Sequence, residues 1–377
     1  MGPLSGIKIV ELAGIGPGPM CAMLLADLGA TVLRIDRLAP VDLGNPRPLK
    51  YNLLLRNRKA IALDLKQSAS IDLVLRLVAK ADALIEGFRP GVTERLGLGP
   101  DVCLQRNPRL VYGRMTGWGQ TGPLAAAAGH DLNYIALTGA LHSIGRRGQL
   151  PSPPLNIVGD YAGGSLYLAM GLLAGIMEAR QSGAGQVVDA AIVDGTASLM
   201  TSVFGLHAAG LFDLERGTNT SDSGAYFYDV YACADGGLVS VGAIEGRFHA
   251  ELLRLMEIDP AEIGPQRDRN NWDKARAVLA AKFKTRNREA WCKLLEGTDA
   301  CFAPVLNLAE APAHPHFRQR DTFITVDGVV QPAVMPRFSR TIPDSPTAPE
   351  EPNARAALSG WVADDEIARL LEAGAVK

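Results

Sequence analysis

The sequence predicts an α/β fold: a large domain built on a parallel sheet, followed by a smaller α+β domain. Three observations carry that expectation. The chain opens with a strand–helix–strand unit. Apolar runs of strand length then alternate with helically spaced segments as far as residue 190. From residue 225 the pattern changes to a hairpin followed by helices. At 377 residues the chain exceeds the size at which a single hydrophobic core stops growing, so two domains are expected. The boundaries read as 1–195 for the large domain, 196–224 for a linker, 225–325 for the small domain, and 326–377 for a segment returning to the large one.

Ile7 to Leu12 reads as a buried strand, the glycine- and proline-rich turn Ala13 to Pro19 follows it, and Met20 to Leu28 has helical spacing. Thr31 to Ile35 is the second strand, closed by Asp36-Arg37, which makes the opening Rossmann-like. The dinucleotide fingerprint nevertheless fails. Counted from Gly14 the third glycine falls on Pro19, and counted from Gly16 it falls on Cys21. Pro17 and Pro19 also remove two backbone donors that would face a pyrophosphate. Basic residues gather at Arg56 to Lys59, ahead of a strand from Ala60 to Leu65. Further strands read at Ala83 to Glu86, Leu110 to Gly113 and Gln186 to Ala190. Arg37, Lys66 and Arg89 follow separate strand ends, where open α/β sheets bind ligands, and Arg95 lies shortly after. Each taken singly is a solvated surface charge; together they suit a phosphorylated ligand, since guanidinium forks match phosphate oxygens.

In the second domain, Tyr226 to Ala232 and Leu238 to Ala243 flank Asp235-Gly236, a hairpin turn signal. Glu245 precedes a helix from about Phe248 to Met256, and two more helices read from Trp272 to Phe283 and from Arg288 to Leu295. Cys301 to Leu306 reads as a strand. Beyond Val329 the chain is proline-rich up to a last helix at Asp364 to Leu371.

Composition narrows the function classes. The chain is 47% hydrophobic and 21% charged, with a formal net charge of −2, an ordinary globular balance with no nucleic-acid footprint. No signal peptide is read at the N-terminus. The apolar run Ser165 to Met177 is too short for the ~20 residues that span a bilayer. Five cysteines without a C-x-x-C pair read as reduced thiols, so a cytoplasmic protein with no metal site is expected. His314-Pro315-His316 reads as a loop.

The stretch from Gly129 to Gly164 carries the chemistry. His130 and Asp160 each stand where a loop hands over to a helix-like run, Leu132 to Ile144 after one and Ser165 to Met177 after the other. An imidazole and a carboxylate so placed suit proton transfer in a shared pocket, and the N–H groups of a helix start suit an oxyanion. Asp131 and Asp160 are equally well suited to be N-caps. Met115, Met170, Met177 and Met200 can line an apolar surface or fill core.

Several stretches together resemble the family III CoA-transferase (CaiB/BaiF) superfamily over nearly the whole chain. They are Glu11 to Gly14 with the loop after it, Leu63-Asp64-Leu65-Lys66, Leu84 to Gly91, Gly117 to Pro123, Gly185 to Asp189 and Cys301 to Val305. Gly129-His130-Asp131-Leu132-Asn133-Tyr134 with Gly159-Asp160 resembles its α-methylacyl-CoA racemase branch. The resemblance implies His130 and Asp160 as the two acid/bases, on the 2S and 2R faces of the α-carbon, with Glu245 and Asp131 assisting. It implies CoA contacts at Arg37, Leu63, Asp64, Leu65, Lys66, Gly87, Phe88, Arg89, Arg95, Gly129, Leu132, Asn133 and Tyr134. An interlocked homodimer is also implied, with 2-methylacyl-CoA as substrate and no cofactor, metal, nucleic acid or membrane. The rival within the family is CoA transfer, with Asp160 as a covalent nucleophile. A non-enzymatic CoA-binding role is the rival outside it. Where a Gly-x-His-Thr is usual before the last helix, this chain has Pro352-Asn353-Ala354-Arg355, which leaves open how the tail packs.

Overall fold

The computed structural model describes residues 2–39, 44–374 and 376. The chain divides into two compact units: Met1–Thr138, Leu155–Leu199 and Asp321–Lys377 form the first, and Gly139–Pro154 with Met200–Arg320 the second.

The first unit is built on six parallel strands: β1 (Lys8–Leu12), β2 (Thr31–Arg37), β3 (Lys59–Leu63), β4 (Ala83–Glu86), β5 (Val111–Thr116) and β6 (Gln186–Ala191). Their spatial order is β3-β2-β1-β4-β5-β6, the doubly wound arrangement that reverses direction between β1 and β4. Successive side chains of a strand point to opposite faces, and each face has its own core. Val10, Leu12, Leu33, Ile35 and Leu84 pack under helix Ser68–Val78 and the C-terminal helices. Ile9, Val32, Ala83, Ile85 and Val111 pack under helices Pro17–Asp27 and Tyr167–Ser182. Covering both faces explains why the central strands read as unbroken apolar runs rather than alternating ones.

The second unit has an antiparallel sheet, β7 (Tyr228–Ala232), β8 (Leu238–Gly242) and β9 (Phe302–Pro304), in that order. Helices Gly246–Leu255, Trp272–Phe283 and Arg288–Leu295 cover a core that includes Tyr226, Phe227, Phe283 and Trp291. Within this unit the buried Asp229 carboxylate receives Arg146 at 2.8 Å and pairs with Arg276. The stretch after residue 196 is helical as far as Ala208, in Ile192–Leu199 and Thr201–Ala208.

Four local readings are corrected. The helix-like run from Leu132 to Ile144 is two short helices, Asp131–Leu137 and Ala140–Ser143, broken at Gly139, whose φ is +83°. Helix does not begin at Ser165: wide i→i+5 turns run from Ile157 to Leu166 and lead straight into Tyr167–Ser182. That 26-residue run is long and apolar enough to cross a membrane by length and composition, contrary to the estimate from Ser165 to Met177, and 50% of an apolar 18-residue stretch within it is buried in the protein. The segment around Val329 forms a hairpin, β10 (Phe323–Val326) with β11 (Val329–Pro332). Two members of the basic group at 56–59, Arg56 and Arg58, are buried. Arg56 bonds Asp27 at 2.6 Å and Gln331 at 2.8 Å, and Arg58 bonds Glu11 at 2.5 Å, all of them buried. Such pairs contribute little net stability, but removing one partner strands a buried charge.

The C-terminal segment returns to the edge strand β3. Asn353 N–H donates to Ala60 O at 2.9 Å, and the Asn353 side chain caps helix Ala354–Leu358. Trp361 is buried against the same face.

Candidate active site

A cavity of about 520 Å³ opens outside the C-terminal ends of β1, β4 and β5, at the point where the strand order reverses. Three segments wall it: residues 14–19 after β1, the last three of them opening helix Pro17–Asp27, 87–90 after β4 and 117–118 after β5. Ala125, Ala127, Ala128, Gly129, His130, Asn133, Tyr134 and Asp160 close the remaining side.

His130 is exposed and occupies the N-cap position of helix Asp131–Leu137; its N–H donates to Asn133 Oδ1 at 3.0 Å. Asp160 lies in the first wide turn after Ile157 and is held at three points. Its N–H donates to Asp131 Oδ2 at 2.6 Å, its C=O accepts from Ser165 Oγ at 3.1 Å, and its carboxylate accepts from Asn156 Nδ2 at 3.2 Å. The carboxylate lies against Gly16. That residue has φ +66°, and a Cβ there would come 3.2 Å from Asp160 Oδ2.

Burial raises the Asp160 carboxyl above its ordinary range. The Asn156 hydrogen bond opposes the rise, Asp131 adds to it, and His130 opposes it. A carboxylate with a raised pKa is a stronger base and, once protonated, a suitable acid near neutrality. Burial also raises Asp131, against the pull of the Asp160 and Gly159 N–H groups. Asp131 is therefore the acceptor that closes the start of the Asp160 helix. The N–H of Asp160, which the sequence reading leaves free for an enolate oxygen, is taken by Asp131. A Cβ on Gly159 would lie 2.5 Å from Asp131 Oδ2, so the bare glycine admits the cap.

Tyr134 is buried, packs edge-on to Trp118 at 4.8 Å and donates its hydroxyl to Gly129 O. Gly87, Phe88 and Arg89 line the cavity, and the Arg37 guanidinium stands 5.4 Å from the Phe88 ring centroid, a cation–π distance. Arg95 is exposed on the short helix Val92–Arg95, with Nη1 near Gly91. Leu132 is also exposed. Leu63 pairs with Arg37 across β2 and β3 and is buried. Leu65 packs on the core behind it, Asp64 accepts from Lys66 N–H at 3.0 Å, and the Lys66 side chain is exposed. Glu245 belongs to the second unit, exposed at the N-cap position of helix Gly246–Leu255. His314 pairs with Glu296 at 2.8 Å. Among the described residues no group of three or more His, Cys, Asp or Glu side chains is placed to hold a metal.

Sequence reasoning missed Asn156, Ser165, Trp118 and the alanines at 125, 127 and 128. Asn156 stands four residues before Asp160, a helical spacing that becomes visible only once helix is allowed to begin at 157. Of the four methionines, Met115 lines the cavity, whereas Met170 and Met177 are exposed.

Residues 4–354 match CoA-transferase family III. Over 352 residues the chain is 43% identical to the α-methylacyl-CoA racemase of Mus musculus, covering 93% of this chain and 90% of that one. The α-methylacyl-CoA racemase of Homo sapiens is 39% identical, with 92% and 88% covered. Among solved structures, a CaiB/BaiF family protein from Brucella suis superposes with a TM-score of 0.78 at 25% identity, over 97% of this chain and 99% of that one.

Proposed function

The chain belongs to CoA-transferase family III, and from that premise we propose that it racemises 2-methylacyl-CoA thioesters at the α-carbon by 1,1-proton transfer. The observation that carries the reading is that His130 and Asp160 line one cavity at the switch point of the sheet. The thioester carbonyl acidifies the α-hydrogen. One of the two groups takes that proton, the resulting planar enolate keeps its place, and the other group returns a proton to the opposite face. The roles exchange in the reverse direction. Burial that raises Asp160 favours this exchange, because the carboxyl must serve as base in one direction and acid in the other.

In this reading CoA is a handle whose binding energy positions the reacting carbon, and the chemistry draws on no further cofactor. The nucleotide rests on Arg37, Phe88 and Arg89, and Leu63, Asp64, Leu65, Lys66 and Arg95 are its further proposed contacts. Gly87, Gly129, Leu132, Asn133 and Tyr134 border the thioester arm. The acyl group follows the apolar wall of Ile15, Met115 and Trp118. Asp131 acts as the cap that holds Asp160.

A second copy of the chain is the proposed partner. Leu166, Met170 and Met177 are exposed at helical spacing along one face, an apolar stripe that a homodimer would cover. A sedimentation mass equal to one chain at micromolar concentration would refute this.

The function is tested by incubating the protein with a 2-methylacyl-CoA in D₂O. Deuterium should enter the α-carbon without any added carboxylic acid. Transfer of CoA to a free acid with no α-exchange would instead establish Asp160 as the nucleophile of a transferase.

A further inference from the structure

Glu86 has no part in the chemistry just described, yet it is fully buried at the end of β4, directly before the loop that lines the cavity. A buried carboxylate needs partners for its oxygens, and both are used. Oε2 accepts from the Phe88 N–H at 2.7 Å, and Oε1 accepts from Arg114 Nε at 3.0 Å. Arg114 stands opposite Glu86 in the β4–β5 register and is itself buried. Its other nitrogens reach Glu94, at 2.7 Å and 3.4 Å, on the helix that ends in Arg95. A third tie comes from β5, where the Tyr112 hydroxyl donates to Leu98 O at 2.8 Å.

One guanidinium therefore anchors both ends of the segment from residue 87 to residue 95. Between the anchors lie Phe88 and Arg89, which face the cavity, and the Phe88 ring is the surface over which Arg37 stands. Retaining a charge network under this loop has a cost in desolvation, so its use is sought in geometry rather than in stability.

We propose that Glu86 and Arg114 are positioning residues for the nucleotide of the substrate: they fix the Phe88 ring, and through it Arg37 and Arg89, where the CoA phosphates arrive. The proposal rests on the acyl-CoA reading above. Neither residue touches the reacting carbon. They set the reach of groups that do not change during the reaction, and such groups govern substrate binding more than the chemical step.

The test, at pH 8, above the range in which Glu86 keeps its proton, is calorimetric titration of CoA and of pantetheine into the wild-type protein, Glu86→Gln and Glu94→Gln, with thermal melts of each and α-hydrogen exchange in the same preparations. Glutamine has one acceptor oxygen for two donors, so either the Phe88 N–H or Arg114 loses its partner. CoA binding should weaken about tenfold in Glu86→Gln, the scale of one misplaced charge-assisted contact, while pantetheine binding stays within about twofold. Glu94→Gln frees only the exposed end of Arg114 and should cost about threefold in CoA binding. It decides the matter if Glu86→Gln does not fold. Equal weakening of CoA and pantetheine, or no weakening of either, overturns the positioning role. Absence of α-exchange in a wild-type protein that binds CoA overturns the racemase reading instead, so the two failures are distinct.

Discussion

Two loops meet at the cavity, and they are built in opposite ways. The turn after β1, Ala13 to Gly16, with the helix start that follows it to Pro19, carries no charged side chain and works by leaving space: the Asp160 carboxylate packs 3.2 Å from where a Cβ on Gly16 would stand. The loop after β4 works by attachment, tied to β5 through Glu86, Arg114 and Glu94. The reacting end of the pocket is shaped by missing atoms and the rim by added ones. Adding an atom should damage the first loop, and removing one should damage the second.

The largest effect tests what the first loop accommodates. Asp160→Asn keeps the shape against Gly16 and the bond to Asn156 while removing the base. Inversion should fall by about 10²–10⁴-fold, the range for loss of a positioned acid/base. Solvent deuterium should still enter the 2S substrate through His130 but not the 2R substrate; His130→Ala should show the reverse. Equal residual exchange of both enantiomers in both variants would sink the two-base mechanism and the comparison with it.

A smaller loss is expected when the space itself is filled. Gly16→Ala puts a Cβ 3.2 Å from Asp160 Oδ2 at a φ of +66°, which disfavours any side chain. We expect kcat to fall about tenfold or more, with stability lowered by about 1 kcal/mol. KM for acyl-CoA should change little, since the rim is untouched. A rise in KM with kcat intact would place the nucleotide, not the reacting carbon, at this loop.

The effect with the least bearing on turnover is a pH dependence of stability arising in the second loop. Burial pushes the Glu86 carboxyl up to about 7, against the pull of the Phe88 N–H and Arg114. The folded chain therefore keeps this proton in a window, from about 4.5 to about 7, in which the unfolded chain has released it. A proton bound more tightly when folded stabilises the acid side of the window, and that contribution is lost as pH rises through it. The loss is on the order of 1–3 kcal/mol. Asp160 and Asp131 shift in the same direction, so the measurement is the difference between wild type and Glu86→Gln in urea unfolding at pH 5, 6, 7 and 8. A difference that is flat with pH would remove Glu86 from the titrating groups.

What was legible in the sequence followed the range of the interaction that determines it. The strands of the large sheet were readable because each is a local apolar run buried on both faces, as in Ala83–Glu86. The hairpin around Asp235-Gly236 was readable because its turn chemistry is local too. His130 and Asp160 could be picked out as a pair because each stands beside a helix and carries a titratable group. The helix start at Ile157 was not legible, because Gly159, Gly163 and Gly164 read as breakers. Gly159 is there for the Asp131 cap, 29 residues away for its bond to Asp160. The burial of Arg56 and Arg58 was hidden for the same reason, since their carboxylate partners lie 29 and 47 residues away. Glu86 looked like the polar end of a strand, and only the β4–β5 register shows Arg114 waiting beside it.

The return of the C-terminal segment to β3 has a consequence for the order of events during synthesis. An uncovered strand edge is a template for pairing with another chain. Here the edge beside Ala60 is met by Asn353, and Lys59 Nζ donates to the carbonyl of Ala356, a residue made 297 positions later. At about 5–20 residues per second the ribosome needs roughly 15–60 s to cross that interval. Throughout it the strand has emerged but its cover has not. The nascent chain thus passes through a period in which its sheet is open on that side, until residues 353–356 emerge and close it.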